Sequence, residues 1–525
     1  MSVPFLLNFK PGIARDGTEF DSNQYSDALW CRFRLGRPRK MSGFKQITNQ
    51  LAGKPRRIHL FYKNNQIIAH VGTVNGIQQV IFAHQTGELI SITDRTPSNF
   101  TAGNNIGFTF DAIFDTTSAA VLIVAHFVPD MGQLATDTTT VPVIGIIDDP
   151  TPLAEFSDPT PSSGVWNQPA LSGGVVCVQP YVFGFSSDGF VQWSAPNLPN
   201  YLGVTGGSTG AGQARISAQK IVAGAALRGG GTQSPAALFW SLSEVITATF
   251  VGSANGVFRF NTVSPSSSIL SSRAVIEYDG LYFWAGIDRF LVFNGTVTEA
   301  PNPTNLDWFF DNLTPGYEDR VFAFKVPRYG EIWWCAPMFG NTEPSHAVIF
   351  NIRENCWYDT ELPNGGRGAA YFAQGFHYPV MGGVENDGTG YTLWMHEDGV
   401  DEVRGETITA IRSYFETGLF GGPKNDPPDN TGVSMHQLEP DFIQTGDMSV
   451  YLIGEANARA NQIDGDTVPI LAIPSTPQEQ LSSFTPKQSL RLMKLHVESN
   501  VIGGNYICGR NIAHVTASQN SRITS

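Results

Sequence analysis

Gly280-Leu-Tyr-Phe-Trp-Ala-Gly286, the turn Asp288-Arg289 and Phe290-Leu-Val-Phe293, ending on Asn294-Gly295, make one unit of strand, turn and strand. The unit recurs. Glu331-Ile-Trp-Trp-Cys-Ala336 is followed by Ala347-Val-Ile-Phe-Asn351 and Cys356-Trp-Tyr358. Tyr378-Pro-Val-Met-Gly382 is followed by the turn Asn386-Asp-Gly388 and by Tyr391-Thr-Leu-Trp-Met395. Runs of β-branched and aromatic residues bounded by Gly, Asn and Asp read as strands of antiparallel hairpins. Few of these runs alternate between apolar and polar, so both faces are covered, as in sheets stacked on sheets. A ring of blades repeats that arrangement. The expected fold class is therefore mainly β, a β-propeller of antiparallel blades.

Outward from this stretch, strand pairs continue. Residues 57–62 and 66–71 flank Asn64-Asn65, and 78–83 and 88–93 flank Gln85-Thr-Gly87. Further strands are expected at 107–114, 119–127, 141–147, 175–185, 189–194, 216–227, 236–241 and 256–261. Trp193, Trp240, Trp284, Trp334 and Trp394 are spaced by 47, 44, 50 and 60 residues. A four-stranded blade takes about 40–50 residues, and one large aromatic per blade fills the space between sheets. Residues 305–313 read as one short helix capped by Thr304. The Pro-rich 148–169, the Gly-rich 198–213 and 421–430 read as loops or linkers.

Composition agrees with a turn-rich β protein: 54 Gly and 33 Pro against only 15% charged residues. The five cysteines, at 31, 177, 335, 356 and 508, follow no metal-ligand spacing and are expected as buried free thiols. Neither a signal-peptide pattern nor a membrane-length apolar run occurs, so no membrane anchor is expected.

The formal net charge of −14 is unevenly spread. Residues 28–87 hold ten Lys or Arg and no acid, which leaves 23 basic against 47 acidic groups elsewhere. An acidic body repels a phosphate backbone. If such a chain meets nucleic acid, it is expected as a smooth conduit and not as a specific reader. The basic segment is expected as an extended N-terminal arm, with Arg32, Arg34, Arg37, Arg39 and Lys40 as candidate subunit or adaptor contacts. Packing of this segment on the acidic body of its own chain or of a neighbouring subunit is the plainer reading of the same charges. The expected domains are the basic arm (1–50), the propeller (51–420), and a linker with a smaller C-terminal β domain or ring-closing segment (421–525).

The search for chemistry is negative. HExxH, GxSxG, GxxxxGK[ST] and EF-hand patterns are absent. Gly206-Gly-Ser-Thr-Gly-Ala-Gly212 lacks the lysine of a phosphate cradle. Ser186-Ser-Asp-Gly-Phe-Val-Gln-Trp193 is similar to the Asp-box turn of sialidase-type propellers, one residue short and in a single copy; that box is a structural device. Neither an enzyme, a cofactor nor a metal is expected.

Together, Pro11-Gly-Ile-Ala-Arg-Asp-Gly-Thr18, Trp30-Cys-Arg-Phe-Arg34, Gly36-Arg-Pro-Arg-Lys-Met-Ser-Gly43, Phe185-Ser-Ser-Asp-Gly-Phe-Val-Gln-Trp-Ser-Ala-Pro-Asn197, Asp279-Gly-Leu-Tyr-Phe-Trp-Ala-Gly286 and Val348-Ile-Phe-Asn-Ile-Arg-Glu-Asn-Cys-Trp357 resemble the tail nozzle (tail tubular, packaged-DNA stabilisation) proteins of short-tailed bacteriophages. The resemblance implies a structural virion protein, made in the host bacterial cytoplasm and placed in the tail. It implies a hexameric ring below the portal and adaptor, around the DNA exit channel, with a docking surface for tail fibres or spikes. DNA would pass without specific contact during ejection. The alternative is a glycan-binding or glycan-cleaving propeller of the virion.

Overall fold

The computed structural model describes residues 3–19, 22–128, 142–156, 173–196, 198–199, 210–227, 235–253, 256–421, 432–455, 461–483 and 491–518. The expected loops at 148–169, 198–213 and 421–430 lie largely outside the described residues.

Six antiparallel sheets each take four strands in chain order: 55–94, 107–155, 174–215, 221–264, 275–299 and 322–361. A seventh combines Arg367–Tyr371, Val380–Asn386 and Tyr391–His396 with Phe44–Leu51 from the other end of the chain. The first strands of neighbouring sheets face one another around a ring. The chain is thus a seven-bladed β-propeller, closed by an N-terminal strand laid antiparallel on the seventh blade. The ring-closing role considered for the C-terminal segment belongs to Phe44–Leu51 instead.

Blade packing explains the unbroken apolar runs. Ala236–Ser241 and Glu331–Ala336 are buried at every position, because a neighbouring blade covers each face. Trp240, Trp284 and Trp334 occupy second strands, and Trp193 and Trp394 third strands. Trp240 and Trp284 meet edge-on at 5.7 Å across the seam of blades four and five. Asp279 (φ 50°) and Gly280 (φ 82°) both take the left-handed backbone that a two-residue hairpin turn requires. The run expected as one strand over 175–185 breaks at Gln179-Pro180 into two strands, Gly174–Val178 and Tyr181–Phe185. Pro180 supplies no N–H for a ladder there.

Side chains also stitch blades at the channel. Thr109 Oγ1 accepts from Val175 N (3.0 Å) and Asp111 Oδ2 from Cys177 N (2.7 Å). These bonds satisfy backbone donors that an innermost strand would leave unpaired. At the end where the inner strands begin, Glu343 binds Arg56 (2.7 Å), Arg320 (3.1 Å) and Lys54 (3.2 Å), while Arg273 donates to the carbonyls of Arg56, Gly368 and Asp319. This clasp ties together the starts of four blades.

The remainder forms a second β unit built from both chain ends. Asp27–Leu29 pairs with Ser413–Glu416, which pairs with Leu492–Ser499, itself beside Met448–Glu455. Val3–Leu6 pairs with Ile512–Ser518. The hairpin Cys31–Arg34 and Arg37–Lys40 joins Asn505–Cys508. One core containing Trp30, Phe33, Phe415 and Tyr506 continues into Trp333 and Tyr358 of blade six. Residues 1–50 are therefore not an extended arm, because Trp30, Cys31 and Phe33 bury apolar surface in this core.

The helix spans Leu306–Asp311, and its expected Thr304 cap is not observed. Asp16 serves instead, accepting from Asp307 N (3.0 Å) and Trp308 N (2.8 Å). All five cysteines are buried and unpaired.

Candidate interaction surface: an arginine hairpin

The strands Cys31–Arg34 and Arg37–Lys40 are joined by Leu35 (φ 52°) and Gly36 (φ 71°), a tight turn. Glu354, in a turn of blade six, accepts from both turn amides, at 2.9 Å from Leu35 N and 3.1 Å from Gly36 N. A distant carboxylate therefore fixes the hairpin tip. Leu35 at that tip is 84% exposed.

The five expected contact residues divide into two groups. Arg32 is 1% exposed; its Nη1 donates to Glu397 Oε2 (2.8 Å) and its Nη2 to Glu331 Oε2 (3.2 Å). Burial opposes its charge, but the carboxylates of Glu331 and Glu397 hold its pKa above the ordinary arginine value. Lys40 is 2% exposed and donates to Gly504 O (2.8 Å). Burial pushes its pKa down to about 8, with Asp401 opposing. Neither residue can reach a partner, which corrects the expectation for Arg32 and Lys40. A polar side chain sealed in this way is satisfied inside the fold.

Arg34 is exposed, and Arg37 and Arg39 are half-buried. Arg37 donates to Asn8 Oδ1 at 3.3 Å. The guanidinium carbons of Arg32, Arg39 and Arg328 lie 3.7, 5.7 and 5.4 Å from the Tyr329 ring centre. Partial burial lowers the Arg39 pKa, and Arg32, Arg34 and Arg328 add repulsion. Arg353 is exposed beside Arg328, donating to Arg328 O (2.9 Å) and Pro327 O (2.7 Å). Arg34, Arg39, Arg328 and Arg353 thus form a cationic surface around Leu35, with Glu354 as the acid within it.

Sequence reasoning did not find Arg328 and Arg353. They lie about 290 and 320 residues from the hairpin and reach it only because blade six carries them there. Elsewhere the basic segment packs on its own chain, with Lys54 and Arg56 on Glu343 and Lys63 on Asp148.

The segment similar to an Asp box is a hairpin turn, in which Ser186 N donates to Phe190 O (2.9 Å) and Phe190 N to Ser186 Oγ (3.2 Å). Among the described residues, no group of three His, Cys, Asp or Glu is arranged to hold a metal ion, and no helix is long and apolar enough to cross a membrane.

No protein-family model and no curated protein matches the sequence. Among solved structures, the crystal structure of BBS1N in complex with ARL6DN, soaked with lead, is similar with a TM-score of 0.39 and 8% identity, covering 69% of this chain and 100% of that chain.

Proposed function

We propose that this chain is a structural virion protein, the ring-forming nozzle subunit of a short phage tail, and not an enzyme. Six copies would surround the DNA exit channel below the adaptor and offer a docking surface for fibres or spikes. The observation that carries the reading is the arginine hairpin, a cationic surface braced by Glu354 on a chain of net charge −14. Such a surface suits an acidic neighbour, either the next copy or the adaptor, through electrostatic complementarity.

The propeller's own cavity, about 820 Å³, has the size of a small-molecule site. DNA would therefore run between subunits and not through a propeller. The acidic balance of the rest of the chain would let it slide.

The test is the native mass of the purified chain, alone and with a candidate adaptor ring, by mass photometry. A hexamer, or six copies recruited to the adaptor, supports the reading. A monomer indifferent to the adaptor overturns it and favours a glycan-binding propeller, for which a glycan array is the next measurement.

A further inference from the structure

The inner strands of all seven blades enclose the cavity of about 820 Å³. Small residues are frequent along it, among them Ala112, Ala223, Ala225, Ala323 and Ala370. The cavity starts beyond the clasp of Arg56, Arg273, Arg320 and Glu343. Four charged side chains line it, Arg57, Asp111, Glu277 and Lys325.

Three of these charges are already committed. Asp111 accepts from Ala112 N (2.8 Å) and Cys177 N (2.7 Å). Lys325 lies 2.8 Å from Glu277, whose other oxygen accepts from Gly280 N (2.8 Å). Arg57 differs. Among the described residues it donates no side-chain hydrogen bond and has no carboxylate within 4 Å; burial lowers its pKa, with Tyr371 and Asp111 opposing. Beside it, the His59 and Tyr371 rings lie 5.2 Å apart. His59 is 6% exposed and has a buried Nδ1 without a partner. A guanidinium that lines the cavity with five donors and no protein acceptor is open to one supplied by a ligand.

We infer that the propeller channel is a binding site for a small organic monocarboxylate, whose two oxygens take the fork of Arg57 while its apolar body lies against His59, Tyr371 and the inner-strand alanines. Arginine pairs bidentately with a carboxylate. The class is set by the neighbours: a single cation offsets one negative charge, and Asp111 and Glu277 repel a second. Phosphate, which carries more than one charge at neutral pH, therefore fits poorly. Neutral His59 gives an uncharged aromatic surface, since burial, with Arg57 adding to it, depresses its pKa to about 4. This site is independent of the nozzle reading and would stand if that reading failed.

The experiment titrates the full-length chain with benzoate, and separately with acetate and inorganic phosphate, by isothermal calorimetry. Benzoate is expected to bind saturably at one site per chain, more tightly than acetate and phosphate. Arg57→Gln is expected to weaken benzoate at least tenfold with the melting temperature retained. Ala225→Phe, which narrows the channel but keeps Arg57, should also weaken it and guards against a folding defect in the first variant. No binding by the native chain, equal binding by Arg57→Gln, or phosphate binding as tightly as benzoate would each overturn the inference.

Discussion

Arg32 Nε lies 2.9 Å from Glu331 Oε1, and the two side chains are 1% and 0% exposed. The same guanidinium forks onto Glu397. This buried triad joins the hairpin to blade six and to the end of blade seven. Breaking a buried pair by removing one partner costs about 3–5 kcal/mol, because the other charge is left uncompensated. Arg32→Ala is thus expected to lower the urea midpoint clearly, while Arg34→Ala, at an exposed site, stays within about 0.5 kcal/mol of the native chain. Equal midpoints for the two variants would contradict the assignment of Arg32 to the fold.

The cationic surface around the same hairpin carries the opposite expectation. Charge reversal of Arg34, Arg39 and Arg328 together should leave the melting temperature near native and weaken ring or adaptor association at least tenfold. That loss should shrink as salt rises, because exposed charges are screened over about 8–10 Å. Mass photometry at low and high salt reads both effects. Full assembly by the triple variant would remove the hairpin from the interface.

The propeller was legible because its signal is local. Runs such as Leu281–Ala285 and Glu331–Ala336 announce strands covered on both faces, and Trp240, Trp284 and Trp334 mark one position in successive blades. The blade count was not legible, because blades one and two hold no tryptophan: Phe82 on a third strand and Phe127 on a second fill their cores instead. The second β unit was hidden for another reason. Tyr414 pairs with Leu29 from 385 residues away in sequence, and no short-range pattern encodes such a pairing. The charge of Arg32 and Lys40 was visible, but the acceptors that draw them inside, Glu331, Glu397 and the carbonyl of Gly504, are equally remote.

Three buried histidines give the fold an acid limit above the carboxylate range. Burial lowers the pKa of His59, His70 and His396 below 6.5, with Arg57, Arg95 and Arg367 respectively adding to the effect. As pH falls, the unfolded chain takes up these protons before the folded chain does. The histidines' contribution to stability is therefore complete above pH 6.5 and is lost as pH falls towards the native values. For His59, whose pKa is about 4, the loss amounts to roughly 3 kcal/mol across that window. Melting temperature should begin to fall below about pH 6.5, and His59→Gln should flatten the slope between pH 6 and 4. An unchanged slope would show that His59 is not held neutral.

Asp16 tests the link between the N-terminal segment and the ring. The helix Leu306–Asp311 is too short to hold itself, since isolated helices below about 12 residues are marginal. Its first amides depend on the Asp16 carboxylate, and Arg15 N and Asp16 N in turn donate to Thr304 O at 2.7 and 2.9 Å. Loss of a capping acceptor costs about 0.5–2 kcal/mol. Asp16→Ala should therefore speed hydrogen exchange at the amides of Asp307 and Trp308 by about two- to thirtyfold, and Asp16→Asn, which keeps one acceptor oxygen, should do so less. Strand amides of blade one, remote from the cap, should be unaffected. If exchange at Asp307 and Trp308 does not change, the helix is held by its ring packing, Phe309 and Phe310 against Phe290 and Trp308 against Phe339, and the N-terminal segment is not what secures this part of the ring.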